Sequence, residues 1–253
     1  MIKTITAVFA ALLLTIGTAQ AAGNAPKLPK QDWSFNGIFG SYDRASAQRG
    51  FQVYKNVCSA CHSLNYVYYR HLTGIGLTEP QIKAIASTVE VTDGPNDNGE
   101  MFKRKGLPKD KFVAPFDNDK AARAANNGAY PPDLSLITKA RHGGSDYLYA
   151  VITGYTKAPA DMKMAGGMSY NKYFPGNQIA MMQPLSAGVV EYTDGTKATP
   201  EQMAKDVTTF LAWTASPEME QRKRLGIKVL LFLLVLTGML LALKRQVWAN
   251  VKK

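Results

Sequence analysis

Side chains that bind metals are scarce in this sequence: 253 residues contain two cysteines and three histidines. A structural zinc site needs four ligands, and beyond Cys58, Cys61 and His62 only His71 and His142 remain, without the paired spacing such sites use. Two thiols are also too few for a disulfide-stapled scaffold. Acidic residues are missing from both ends. Residues 1–21 hold one base and no acid, residues 222–253 hold eight bases and no acid, and between them 21 bases face 19 acids. The formal charge of +11 therefore does not mark a nucleic-acid binder, because the body of the chain is nearly neutral and has no source of phosphate neutralisation. Strand-like alternation is rare, and there is no internal repeat or low-complexity tract. Hydrophobic residues at 46% and charged residues at 19% exclude a disordered, collagenous or coiled-coil chain and leave a globular or partly membrane-bound one.

The charge asymmetry instead marks the two termini. Lys3, the apolar run from Ile5 to Ile16 and the small-residue sequence Ala19-Gln20-Ala21 read as a secretory signal, residues 1–21, cleaved after Ala21; an uncleaved anchor is the alternative. The single base and short length argue against an Arg-rich mitochondrial transit peptide and for a bacterial periplasm. Near the other end Leu225–Leu243 is apolar except for Lys228 and Thr237. As a helix these residues span about 28 Å, close to the hydrocarbon thickness of a bilayer. Arg222-Lys223-Arg224 and Lys244-Arg245 bracket the run and Trp248 follows, which favours a membrane anchor over a buried core helix. The expected organisation is a signal peptide (1–21), an exported domain (22–221), an anchor with basic flanks (222–245) and a short cytoplasmic tail (246–253).

Between the ends the pattern predicts a mainly α domain with long loops. Helices are expected over Ala45–Val57, Glu79–Ala86, Asp119–Asn126, Asp146–Gly154 and Pro200–Ala215. In the last, Thr199 is placed to cap, Pro200 suits the first helical position and Gln202 is placed to complete a capping box. Met203, Val207, Phe210 and Leu211 fall on one face of that helix. Residues 92–118 and 155–195 read as loops long enough to have a function or something to wrap around.

Cys58-Ser59-Ala60-Cys61-His62 carries the chemistry. In C-x-x-C-H two thiols about one helical turn apart add to the vinyl groups of a haem, and the adjacent imidazole binds its iron. Zinc lacks ligands here, a redox dithiol lacks its βαβ context, and a surface disulfide would not require His62. The sixth iron position decides the activity. A thioether makes an electron carrier, whereas an open position gives gas binding or peroxide chemistry. Met101, Met162, Met164, Met168, Met181, Met182 and Met203 are the candidates; Met203 reads better as core, Met181 and Met182 stand together in a loop with aromatic and Pro/Gly punctuation from Tyr173 to Pro184, and composition alone does not choose.

A longer set of words is similar to the cytochrome c1 family, the haem subunits of ubiquinol:cytochrome c oxidoreductase (the bc1 complex). They are Arg49-Gly50-Phe51-Gln52-Val53-Tyr54-Lys55 running into Cys58–His62, Tyr69-Arg70-His71-Leu72, and Asp93-Gly94-Pro95 with Gly99-Glu100-Met101-Phe102. AARAANNGAYPPDLS from Ala121 to Ser135, Ala140-Arg141-His142-Gly143-Gly144, Thr153-Gly154-Tyr155, Tyr173-Phe174-Pro175-Gly176 and the Arg222–Arg224 bases before the anchor complete the set. The resemblance spans residues 33–253 and implies a cytochrome c-type haem domain with one C-terminal transmembrane helix. It implies one covalent haem c, with iron held by His62 and Met181, and places Arg123 against a haem propionate. The expected function is transfer of one electron from a Rieske iron–sulfur protein to a soluble or anchored cytochrome c, in a complex with cytochrome b at a bacterial cytoplasmic membrane, with no nucleic acid involved. A membrane-anchored c-type cytochrome of another assembly, or an open-site haem peroxidase or sensor, is the alternative. His71 and His142 are expected to be packing or loop residues, and Tyr66, Tyr68 and Tyr69 to pack near the haem. Glu90, Asp93, Asp97 and Glu100, with no base among residues 84–102, form a solvated loop or an acidic docking patch.

Two thioethers survive unfolding, so haem is expected to stay with the polypeptide through denaturing electrophoresis, visible by peroxidase staining of the band. A stain lost on denaturation would exclude the C-x-x-C-H attachment.

Overall fold

The computed structural model describes residues 26–249 and 251; the expected signal peptide lies outside them. The chain is mainly helical. Its centre is a pair of helices distant in sequence, α1 (Arg44–Asn56) and, in chain order, α6 (Pro200–Ala215). Between them come α2 (Glu79–Ala86), α3 (Asp119–Ala125), α4 (Ile137–Ala140) and α5 (Gly144–Thr153), and α7 (Met219–Trp248) closes the chain. The helices expected from sequence all form, within two residues of their expected bounds.

Helix α1 begins where the Asp43 carboxylate accepts the Ser46 N–H at 3.1 Å, and α6 where Thr199 Oγ1 accepts the Gln202 N–H at 3.2 Å. The rest of the expected capping box is absent. Gln202 turns its NH2 group along the helix to donate to the buried Asp206 carboxylate, 3.1 Å from each oxygen, and the Thr199 N–H donates instead to the Lys197 carbonyl at 3.0 Å. A reciprocal cap forms instead at α2, where Gln81 Oε1 accepts the Thr78 N–H at 2.8 Å.

The α1–α6 crossing is very close. A Cβ on Gly50 would lie 2.0 Å from the carbonyl oxygen of Asp206, so only glycine permits this approach. Beside it, the fully buried Asp206 carboxylate accepts Ser46 Oγ at 2.6 Å and the Arg49 guanidinium at 2.9 and 3.2 Å. Arg49 also reaches Asp194 at 2.9 Å, and the paired carboxylates raise its already high pKa. Around this polar centre an aromatic core assembles from Phe51, Tyr54, Phe112, Phe210 and Trp213. Ring centroids lie 5.7 Å apart for Phe51–Phe210 and 5.8 Å apart for Phe210–Trp213. Met203, Val207, Phe210 and Leu211 are all buried, as the spacing in α6 requires. Helix α5 packs on α6, and α4 bridges the two.

The long segments are loops pinned by small hairpins. Strands β1 (Glu90–Asp93) and β2 (Phe102–Lys105) pair antiparallel with Glu90 opposite Lys105 and Asp93 opposite Phe102. Strands β3 (Ser169–Tyr170) and β4 (Gln178–Ile179) pair likewise. The sequence hides β1 and β2 because each is four residues long with a single large apolar side chain, Val91 or Phe102, so there is no apolar alternation to read. That hairpin also replaces the expected solvated loop at residues 90–93 and brings bases to two of the four acids. Asp93 is hydrogen-bonded to Arg104, and Glu90 lies 4.0 Å from Lys103. Arg104 clamps Asp110 as well, at 2.6 and 2.9 Å, and holds the Asp110 carboxyl down at about 2.

After α6, Pro217 interrupts the helix, and α7 runs for 30 residues. It is the one helix among the described residues long and apolar enough to cross a membrane, and beyond Met219 none of its residues is buried in the domain.

Gly50→Ala should push α1 and α6 apart and destabilise the domain by about 3 kcal/mol, read from denaturant or thermal unfolding. A neutral effect would mean that the two helices do not meet there.

Candidate haem-attachment site

The motif sits where α1 ends. A 3₁₀ turn over Cys58–Ala60 follows the helix, with Cys61 N–H and His62 N–H both bonded to the Cys58 carbonyl, at 3.1 and 2.9 Å. Both thiols and the imidazole therefore project from one tight turn. The turn is fixed to the core from below, because the hydroxyl of buried Tyr54, one helical turn earlier, donates to the His62 carbonyl at 3.0 Å. The cysteines form no disulfide, and burial, then the neighbouring Cys61, pushes the Cys58 thiol up to about 12. A dithiol redox centre needs the opposite shift, a thiolate stabilised near neutral pH. Among the described residues no group of three or more His, Cys, Asp and Glu is placed to hold a metal ion, which leaves the zinc alternative without a donor set.

His62 is prepared as a ligand. Its Nδ1 lies 2.8 Å from the Pro132 carbonyl oxygen. Burial lowers the pKa of the ring, only partly opposed by that hydrogen bond, so the imidazole is neutral and carries one proton. A carbonyl accepts and never donates, which assigns the proton to Nδ1 and the free lone pair to Nε2. This is the tautomer and orientation that an iron centre requires, and the residues present fit a haem on that count.

Pro132 is itself held in place by Asp133, which the sequence reading did not single out. Asp133 accepts Ser63 Oγ and the Asn65 N–H through one oxygen, each at 2.8 Å, and the Ser135 N–H through the other at 2.8 Å. Leu134 N–H adds a bond to the Ser63 carbonyl at 2.9 Å, and Thr214 of α6 donates to the Ser135 carbonyl at 3.2 Å. The signal that could have revealed it is an Asp directly after Pro131-Pro132, a pair that lacks N–H donors and offers only carbonyls.

The other expected ligand lies on a separate loop. Met181 is half-buried and its carbonyl accepts the Tyr155 hydroxyl at 3.1 Å. Asn171, fully buried, ties this loop to α5 by donating to the Val151 carbonyl at 2.7 Å and accepting the Tyr173 and Phe174 N–H groups. Met182, by contrast, is 77% exposed, so adjacent methionines point to different environments. Met101 and Met168 are also exposed, Met162 and Met164 half-buried, and Met203 belongs to the core.

Arg123 extends from α3 at the surface, donating to the Gly128 carbonyl at 3.0 Å with its guanidinium 5.4 Å from the Tyr130 ring centroid. No carboxylate among the described residues pairs with it. His71 is occupied locally, accepting the Tyr68 N–H at 3.3 Å, and His142 is exposed. Of the three tyrosines expected near a haem, Tyr69 is buried and stacked on Phe112 at 4.5 Å, Tyr68 lies under the Arg70 and Lys111 cations, and Tyr66 is exposed.

Comparison with known proteins identifies the family. Residues 33–251 match the model of the Cytochrome C1 family. The chain is 49% identical to "Cytochrome c1" of Rhodospirillum rubrum, covering 97% of this chain and 96% of that one. It is 52% identical to "Cytochrome c1-2, heme protein, mitochondrial" of Solanum tuberosum, covering 85% and 82%. It is 48% identical to "Cytochrome b-c1 complex catalytic subunit, mitochondrial" of Candida albicans, covering 94% and 83%.

Asp133→Ala removes three accepted hydrogen bonds at once and frees the Pro132 segment. Stability should fall by about 1–3 kcal/mol, read by denaturant unfolding. Unchanged stability would show that Asp133 does not hold the segment.

Proposed function

The chain belongs to the cytochrome c1 family, and on that premise we propose that it is the haem subunit of a bc1 complex, accepting one electron from a Rieske iron–sulfur protein and passing it to a cytochrome c. The observation that carries the reading is His62 in a C-x-x-C-H turn with Nδ1 2.8 Å from the Pro132 carbonyl oxygen, a contact that leaves Nε2 for iron. When bound, the haem supplies a one-electron iron couple whose potential is set by its axial ligands and surroundings.

Cys58 and Cys61 would hold the group through thioethers, and His62 would supply the proximal nitrogen. Met181 would supply a sulfur to the iron. The family's pattern from Tyr173 to Ala180 leads to it, and its half-buried position contrasts with exposed Met182. A thioether in that place raises the potential and shuts out small ligands, as an electron carrier needs. Arg123, without a carboxylate partner among the described residues, would pair with a propionate. These residues bind, orient and exclude water; none of them makes or breaks a bond in a substrate, so the chain is an electron carrier within a reductase rather than an enzyme by itself.

Helix α7 would anchor the chain in a bacterial cytoplasmic membrane, its bases (222–245) flanking the span, the exported domain (22–221) in the periplasm and the tail (246–253) in the cytoplasm. Cytochrome b, the iron–sulfur protein and a soluble or anchored cytochrome c are the proposed partners. The opposed strand of bases in the β1–β2 hairpin leaves Asp97 and Glu100, not the full acidic run, for docking a basic cytochrome c.

Met181→Leu removes the sulfur at similar volume. It should lower the reduction potential and abolish electron acceptance from the iron–sulfur protein, with the haem still attached, whereas Met182→Leu should leave both unchanged. The reverse pattern in a redox titration would place the ligand one residue later, and no effect from either would move it to Met162, Met164 or Met168.

A further inference from the structure

The segment from Trp33 to Tyr42 contains no charged residue and divides its apolar side chains between two destinations. Trp33 and Tyr42 are buried, with Phe35 stacked between them at ring distances of 5.5 and 5.3 Å. Ile38 and Phe39, at the tip of the intervening turn, are 68% and 85% exposed. The turn is tightly made. Gly37 has φ +72°, and a Cβ on Gly40 would fall 1.9 Å from the Asn36 carbonyl oxygen, so the backbone doubles back in a way only glycines allow.

The same segment is bolted to the start of α7. The Lys223 ammonium donates to the Phe35 carbonyl at 2.7 Å and to the Gly40 carbonyl at 3.0 Å, closing both ends of the turn. Glu220 accepts the Tyr42 N–H at 2.8 Å and pairs with Arg44 at 2.8 Å. The Tyr42 hydroxyl donates to the Ala212 and Ser216 carbonyls across the break between α6 and α7. Lys223 stands two residues before Leu225, the first residue of the apolar run, which is about 3 Å along the helix axis. The turn therefore stands at the depth where the basic residues Arg222–Arg224 meet the lipid headgroups.

The geometry points to a second membrane contact: the Ile38–Phe39 turn inserts its two apolar side chains into the headgroup–acyl boundary beside the anchor, fixing the height and tilt of the exported domain over the bilayer. The inference rests on the reading of α7 as a membrane anchor. Its chemistry favours lipid over a protein partner. The turn presents an aliphatic and an aromatic side chain in a segment without charged residues, and the one ammonium at its base, Lys223, is bonded to its carbonyls, whereas protein-binding centres are built on Trp, Tyr and Arg with polar groups to be matched. Its flanking carbonyls are already bonded to Lys223, which lowers the penalty for removing water from them. An interfacial contact of this kind reaches about 5–10 Å into the boundary, a depth that two side chains at the tip of a turn suit.

The test uses the full haem-loaded chain in nanodiscs of phosphatidylcholine and phosphatidylglycerol. Both native cysteines are consumed by thioethers, so Phe39→Cys offers the single thiol for a nitroxide label, and collision with oxygen, which partitions into lipid, is compared with collision with a water-soluble nickel chelate. The label at 39 should favour oxygen and collide with nickel several-fold less often than a label placed by Asn98→Cys on the exposed hairpin loop. Ile38→Cys provides an independent position, and retained haem reports that each variant folds. Nickel access at 39 equal to that at 98, with a Leu233→Cys label still deep in lipid, would overturn the inference and leave the anchor standing. A Leu233→Cys label open to nickel would remove the anchor and the inference together. In the assembled complex, a label at 39 immobilised and shielded from both reagents would show that a protein subunit covers the turn, which also overturns it.

Discussion

The architecture hangs on one crossing. Asp206, a carboxylate with no exposed surface, is held by Arg49, Ser46 and Gln202 at the point where Gly50 lets α1 and α6 touch backbone to backbone. A buried ion pair is not in itself a large source of stability, but removing one member would leave the other uncompensated at a cost of about 3–5 kcal/mol. Its positional consequence is greater. Helix α1 ends in the C-x-x-C-H turn, and α6 leads across Pro217 into α7, so this crossing fixes the candidate redox centre relative to the candidate anchor. Residues almost 160 apart in sequence are locked to each other before either end does anything.

The same economy recurs at the site. Tyr54 spends its ring on the core and its hydroxyl on the His62 carbonyl, so packing in α1 is transmitted directly to the imidazole. Asp133 satisfies donors from Ser63, Asn65 and Ser135, and the Pro132 carbonyl beside it meets Nδ1 of that imidazole. Burial favours the neutral ring, and the carbonyl, which can only accept, orients it. Both properties are needed for an imidazole to bind iron reliably, and both arise from groups that would never touch the metal.

Much of this was legible in the sequence. The α6 period of Met203, Val207, Phe210 and Leu211, the apolar run before Lys244 and the C-x-x-C-H spacing each carry a physical signature in a short window. What was not legible depends on distant partners. Gln202 had the right spacing for a capping box, yet Asp206 took its amide. Glu90 and Asp93 read as unpaired because their bases lie on the next strand, beyond the window in which the charges were counted. Asp133 and the Pro132 carbonyl carry only the weak local signal of an Asp after two prolines, since their role is defined by residues about 70 positions away. The pattern of resemblance pointed at Met181, and the exposure of Met182 is the structural feature that distinguishes the two adjacent sulfurs.

The central claim is that electrons pass through this chain between a quinol-oxidising complex and a cytochrome c. Rapid mixing of membranes containing the chain with a ubiquinol analogue, followed by addition of oxidised cytochrome c, measures that passage directly in the c-type absorption band. The account predicts fast reduction that requires cytochrome b and the iron–sulfur protein, then reoxidation by the cytochrome c. A band that stays oxidised with quinol, or that is reduced only by strong chemical reductant and then binds carbon monoxide, would contradict it.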